Sequence, residues 1–233
     1  MHLPVRLERL PASRISEARP NACSSPIKIT RCAYWWPGGN GALNSVRSDI
    51  GVIQDDRVAT LFLIVGLPGA EKTMRAKELA AKHRALQLTP DEWMIPLFGD
   101  SMADGKRFVL EGRLISVALQ VLRLGTSVVL DFGLWGRDER SALRWLARSA
   151  GTSCRVVYLP VDKDVQLARI SHRQATTPHR TFPITEADVD AWREQFQVPD
   201  AAELDGGEIP GPPAGWPGWP EWAMDHWPSC ADS

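Results

Sequence analysis

A three-layer α/β fold, with a mostly parallel sheet of four to five strands and helices on both faces, is what this sequence predicts. Three observations point to it. From residue 58 to residue 204, short apolar runs alternate with amphipathic segments of helix length, the pattern of a sheet whose strands are joined by crossover helices. The first apolar run, residues 61–65, leads directly into a glycine-containing loop and a Lys-Thr pair; that is the order of a buried strand, a tight turn and a helix start. The chain has 233 residues, enough for one α/β core with appended segments.

The elements follow in order. Residues 61–65 form the first strand and 72–83 the first helix, with Leu79 and Ala80 facing inward. Residues 85–88 form a short second strand that ends at Thr89-Pro90-Asp91-Glu92. A long helix over 106–124 takes its apolar face from Val109, Leu110, Leu114, Val117, Ala118, Val121 and Leu122, and Gly125 caps it. Residues 127–130 make the third strand, followed by Asp131; a helix over 138–149 stops at Gly151, and 155–159 is the fourth strand. A helix over 164–174 gives way to a polar loop through Phe182-Pro183, and a last helix over 185–197 starts at Thr185 as N-cap.

The ends differ from this regular middle. In residues 1–57, five prolines and the cluster Gly38-Gly39-Asn40-Gly41 interrupt any periodicity. A disordered or loosely attached extension is expected there, or a start placed too far upstream, with Trp35-Trp36 as a candidate docking point. In residues 205–233, Pro210, Pro212, Pro213, Pro217 and Pro220 alternate with Trp216, Trp219, Trp222 and Trp227. A regular helix is excluded early in this tail. A wrap of aromatic side chains over the domain is expected, with a protein partner site as the alternative, because tryptophans anchor interfaces.

Composition narrows the function. The formal net charge is −1, with 44% hydrophobic and 24% charged residues, so the overall balance calls for neither a nucleic acid nor a membrane partner. Cys23, Cys32, Cys154 and Cys230 show no metal or disulfide spacing, as expected of reduced thiols in a cytoplasmic protein. No apolar run approaches the roughly 18 residues that span a bilayer, and arginines and prolines break up any signal-peptide core.

Candidate chemistry converges at the C-terminal ends of the strands, where parallel α/β sheets bind ligands. Gly66, Leu67, Pro68, Gly69, Ala70, Glu71, Lys72 and Thr73 differ at one position from the phosphate-binding P-loop pattern G-x-x-x-x-G-K-[ST], Glu71 standing for the second glycine. In such a loop backbone amides surround a phosphate chain, the lysine reaches its outer phosphates and the hydroxyl holds Mg²⁺. Asp91, after the second strand, is placed to accept a proton from an attacking hydroxyl. Asp131, after the third, is placed to orient Mg²⁺ together with Thr73. Arg169 and Arg173 share a helix face, and with Arg180 they could neutralise charge on a transferring phosphoryl group. Arg137 and Arg140 are weaker candidates for gripping substrate, and no histidine shows metal or triad spacing.

Taken together, the Gly66–Thr73 loop, D-E-W at Asp91, V-V-L-D at Asp131 followed by R-D-E-R, L-A-R-I-S-H-R and the stretch from Phe196 to Pro199 resemble the P-loop kinase group. That group includes chloramphenicol phosphotransferase, zeta toxins and the kinase part of polynucleotide kinases. The resemblance covers residues 60–203 and implies a three-layer P-loop NTPase, kinase-like fold with a helical lid. It also implies transfer of the ATP γ-phosphate to a hydroxyl of a small molecule. By that resemblance Lys72 and Thr73 bind phosphate and Mg²⁺, Asp91 is the base, and Arg169 or Arg173 stabilises the transition state. Glu71 departs from the pattern, since a left-handed backbone costs a non-glycine residue roughly 1–2 kcal/mol and a carboxylate repels a triphosphate. Weakened nucleotide binding in an intact fold is expected. A nucleotide-binding module without turnover is the alternative. A nucleic-acid 5'-end kinase is a further one, without the basic stripe or stacking platform it would need.

Overall fold

The computed structural model describes residues 58–99, 103–176 and 184–230. The expectations for residues 1–57, for Arg180 and for the loop at Phe182-Pro183 lie outside the described residues. Four parallel strands, β1 (Thr60–Val65), β2 (Leu86–Leu88), β3 (Val128–Gly133) and β4 (Ser153–Tyr158), form one sheet in the order β2-β3-β1-β4. Side chains alternate across it with period two. Leu61, Leu63, Val65, Val128 and Leu130 enter the larger core on one face, and Phe62, Ile64 and Val129 pack with Ala76 and Leu79 on the other. Because both faces are covered, the two central strands carry unbroken apolar runs, Leu61 to Val65 in β1 and Val128 to Leu130 in β3.

Helix α1 (Lys72–His83) has the bounds expected of it. Helix α3 (Lys106–Arg123) is turned from its expected orientation: it buries Leu110, Leu114, Ile115, Ala118, Leu119 and Leu122, leaving Val109 and Val117 exposed. The buried stripe therefore includes Glu111, Ile115 and Leu119 in place of Val109 and Val117, while Val121 is partly buried against the core as expected. Helix α2 (Pro90–Phe98) follows β2 directly, with Pro90 at its first turn and Asp91-Glu92 as helix-start residues that complement its dipole. Helices α4 (Arg137–Ser149), α5 (Lys163–Thr176) and α6 (Glu186–Gln195) stand where the pattern placed them, and Thr185 caps α6 by accepting from the Asp188 amide at 3.2 Å.

Short helix α7 (Ala201–Leu204) and helix α8 (Trp219–His226) complete the chain. Trp219, Ala223 and Trp227 are buried in the larger core, and α8 lies against α4. Gly112 of α3 permits this, since a Cβ there would sit 2.6 Å from Ser229 Oγ and 2.8 Å from the Cys230 amide. Ser229 Oγ also donates to the Val109 carbonyl. Among the described residues no helix is long and apolar enough to cross a membrane.

Candidate functional site

The loop between β1 and α1 is built around two glycines that the backbone requires. A Cβ on Gly66 would lie 2.9 Å from the Leu159 carbonyl oxygen, and Gly69 has φ +85° with the Gln166 carbonyl close behind it. The Ala70 amide donates to the Leu67 carbonyl at 3.1 Å, and the Gly66 amide reaches Gly133 at 3.3 Å. The amides of Gly69, Glu71, Lys72 and Thr73 have no acceptor among the described residues. They are the orphan donors at the start of a 12-residue helix, converging with its positive dipole end. Such a cradle suits a phosphate chain.

Glu71 caps this helix with φ 60° and ψ 30°, the left-handed geometry anticipated for that position. Its carboxylate does not fill the cradle. It turns outward to Arg169, whose Nη2 lies 2.9 Å from Glu71 Oε2 while Nη1 donates to the Gly69 carbonyl at 2.9 Å.

Strand order brings the next pair together. β1 and β3 are neighbours, and two steps along β1 (Leu63 to Val65) match three along β3 (Leu130 to Gly133). This bulge places Asp131 inside β3, one residue beyond the expected strand end, and bulges re-aim side chains. Thr73 Oγ1 donates to Asp131 Oδ2 at 2.7 Å. Burial pushes the Asp131 carboxyl above its ordinary pKa, opposed by the Thr73 hydrogen bond and the Lys72 charge. Lys72 Nζ donates to the Leu67 carbonyl at 3.1 Å, folding back over the loop. Burial lowers its pKa, against the pull of Asp131 and Asp91, and the positive charges of Arg173 and Arg107 add to the lowering.

Asp91 lies in the first turn of α2, with its side chain 68% exposed. Its Oδ1 accepts from Arg107 Nη1 at 2.8 Å, and Arg107 Nε meets Glu111 Oε1 at 3.0 Å. Glu111 is buried on α3 and accepts from the Trp227 indole at 3.3 Å. Desolvation raises the Glu111 pKa to about 7, although the Arg107 charge opposes it. Neither Arg107 nor Glu111 stood out in the sequence. An acidic residue on the buried stripe of a helix, four positions from an arginine, was the available signal.

Of the two weaker candidates, one is structural. Arg140 is fully buried and bidentate on Glu203, at 2.8 and 3.0 Å, with Nη1 donating to the Leu134 and Trp135 carbonyls. It therefore does not grip substrate. Arg137 forms an exposed pair with Asp200 at 2.8 Å. Beside the loop, a small cleft of about 90 Å³ is lined by Leu67, Tyr158, Val161, Arg193 and Phe196, among others.

A protein-family model described as an AAA domain matches residues 61–199. The chain belongs to this AAA domain family. Its fold is the P-loop kinase-like one, and solved structures of similar architecture agree. Kti12 from Chaetomium thermophilum, solved with ADP-AlF3, is 16% identical with a TM-score of 0.50, covering 74% of this chain and 100% of that one. A chain of the Pnkp1/Rnl/Hen1 RNA repair complex is 14% identical with a TM-score of 0.52, covering 65% of this chain and 47% of its own length. A gluconokinase from Sinorhizobium meliloti is 15% identical with a TM-score of 0.44, covering 75% of this chain and 93% of that one. Among curated proteins, none matches the AAA domain chain significantly.

Proposed function

We propose that this AAA domain protein is an ATP-dependent phosphotransferase that moves the γ-phosphate of ATP to a hydroxyl of a small molecule. The observation that carries this reading is the Thr73–Asp131 hydrogen bond of 2.7 Å beneath a loop of unpartnered amides that Lys72 overhangs. Thr73 and Asp131 would hold Mg²⁺, which supplies charge neutralisation on the phosphates. Gly66 to Thr73 would hold the phosphate chain, with Lys72 on its outer end. In the transfer, the acceptor oxygen bonds to the γ-phosphorus as the bond to the β–γ bridging oxygen breaks, and ADP leaves with that oxygen. The hydroxyl proton passes to Asp91. Arg107 takes Asp91 Oδ1, which leaves Oδ2 for that proton. Arg173, whose positive charge is felt at Lys72, would be the cation suited to the charge on the transferring group.

Radiolabelled ATP incubated with pooled hydroxyl acceptors tests the reading. Labelled product is expected from the natural protein. Lys72→Met should weaken ATP binding, and Asp91→Asn should lose product by about 10²-fold or more with ATP affinity kept. ATP binding without labelled product from any acceptor would favour a nucleotide-binding module without turnover, which the exposure of Asp91 also suits.

A further inference from the structure

We infer that Arg169 is a positioning residue that neutralises Glu71, so that this loop can hold a polyphosphate despite lacking its second glycine. The inference rests on the phosphate-binding reading of the loop, and it removes Arg169 from the transition-state role that the resemblance implies. The geometry is specific. One guanidinium spans two consecutive features of the loop, the Gly69 carbonyl at 2.9 Å and the Glu71 carboxylate at 2.9 Å. Each of Arg169's terminal nitrogens is thereby engaged by the loop itself. Gly69 has φ +85° and Glu71 φ 60°, so the fork grips the two left-handed residues that shape the nest.

The electrostatics run the same way. Glu71 is the N-cap of α1, adjacent to the amides of Lys72 and Thr73. An unpaired carboxylate there would cancel part of the positive field that the helix start offers an anion. Pairing it with a guanidinium restores that field without moving the backbone. Arginine suits the task, because its planar fork engages a carboxylate and a carbonyl at once, which a lysine ammonium does less well. Of the two arginines four positions apart on α5, Arg169 thus serves the loop.

A double-mutant cycle tests this. Binding of tripolyphosphate and of Mg-ATP is measured by titration calorimetry for the natural protein, Arg169→Ala, Glu71→Gly and the double variant, with thermal melting confirming that each is folded. Arg169→Ala is expected to weaken tripolyphosphate binding about tenfold when Glu71 is present, and less than about twofold when position 71 is glycine. Arg169→Lys should recover part of the loss, and added salt should shrink it. Equal losses in both backgrounds would overturn the inference, since Arg169 would then act on the phosphates directly. No loss in the Glu71 background would overturn it as well. Tripolyphosphate binding with the expected coupling but no ATP binding would sink the nucleotide reading alone. Failure to bind either would sink both.

Discussion

The buried ion pair between Arg140 and Glu203 gives the sharpest stability prediction. Arg140 has no exposed surface and Glu203 has 2%. Two charged hydrogen bonds join them, and Arg140 Nη1 adds two more to the Leu134 and Trp135 carbonyls, each at 3.1 Å. Those carbonyls belong to the segment that follows β3, and Leu134 there holds φ 46°. Glu203→Ala leaves a guanidinium buried without its counter-ion, a loss of about 3–5 kcal/mol. For a domain of this size that lowers Tm by roughly 10 °C. Replacing both partners, as Arg140→Met with Glu203→Leu, should recover much of the loss, because removing both charges leaves neither unpaired. Differential scanning calorimetry of the full chain measures each variant. A Tm drop under about 2 °C for Glu203→Ala, or a double variant no better than the single, would refute the reasoning.

Glu111 should make stability depend on pH. Its folded pKa, about 7, lies above its ordinary value of 4.5, so its contribution is complete below pH 4.5 and is lost as pH rises through 7. Relative to Glu111→Gln, the natural protein should lose about 3 kcal/mol over that window, read by urea melts at several pH values; parallel profiles would contradict it. Trp227 is fully buried with its indole on Glu111, and Trp227→Ala should cost about 3–5 kcal/mol, checked by the same melts. An unchanged midpoint would mean the tail does not belong to the cooperative core.

Much of the fold is legible from local pattern, because strands and helices announce themselves by periods of 2 and 3.6. That logic reaches α1, α6 with its Thr185 cap, and the strand-loop-helix order at Gly66 to Thr73. It fails where two signals compete. Thr89-Pro90-Asp91-Glu92 reads both as the end of a strand and as a helix start, and the fold uses it to open α2. On α3 periodicity alone does not separate the buried face from its neighbour, because the exposed Val109 and Val117 are as apolar as the residues that are buried.

Local pattern places a Gly-containing loop that ends in Lys72-Thr73 after a buried strand, and marks Glu71 as the residue standing where a glycine is usual. The left-handed backbone at Glu71 and everything that surrounds the loop come from the packed fold. Pairing β1 with β3, and the bulge beside Asp131, set the Thr73 contact. The packing of α5 beside Gly69 brings Arg169 to Glu71, and α4 meeting the segment after α6 buries Arg140 with Glu203. Backbone propensity is fixed by neighbours in the chain, whereas the partner of a charged side chain depends on which distant elements pack against it.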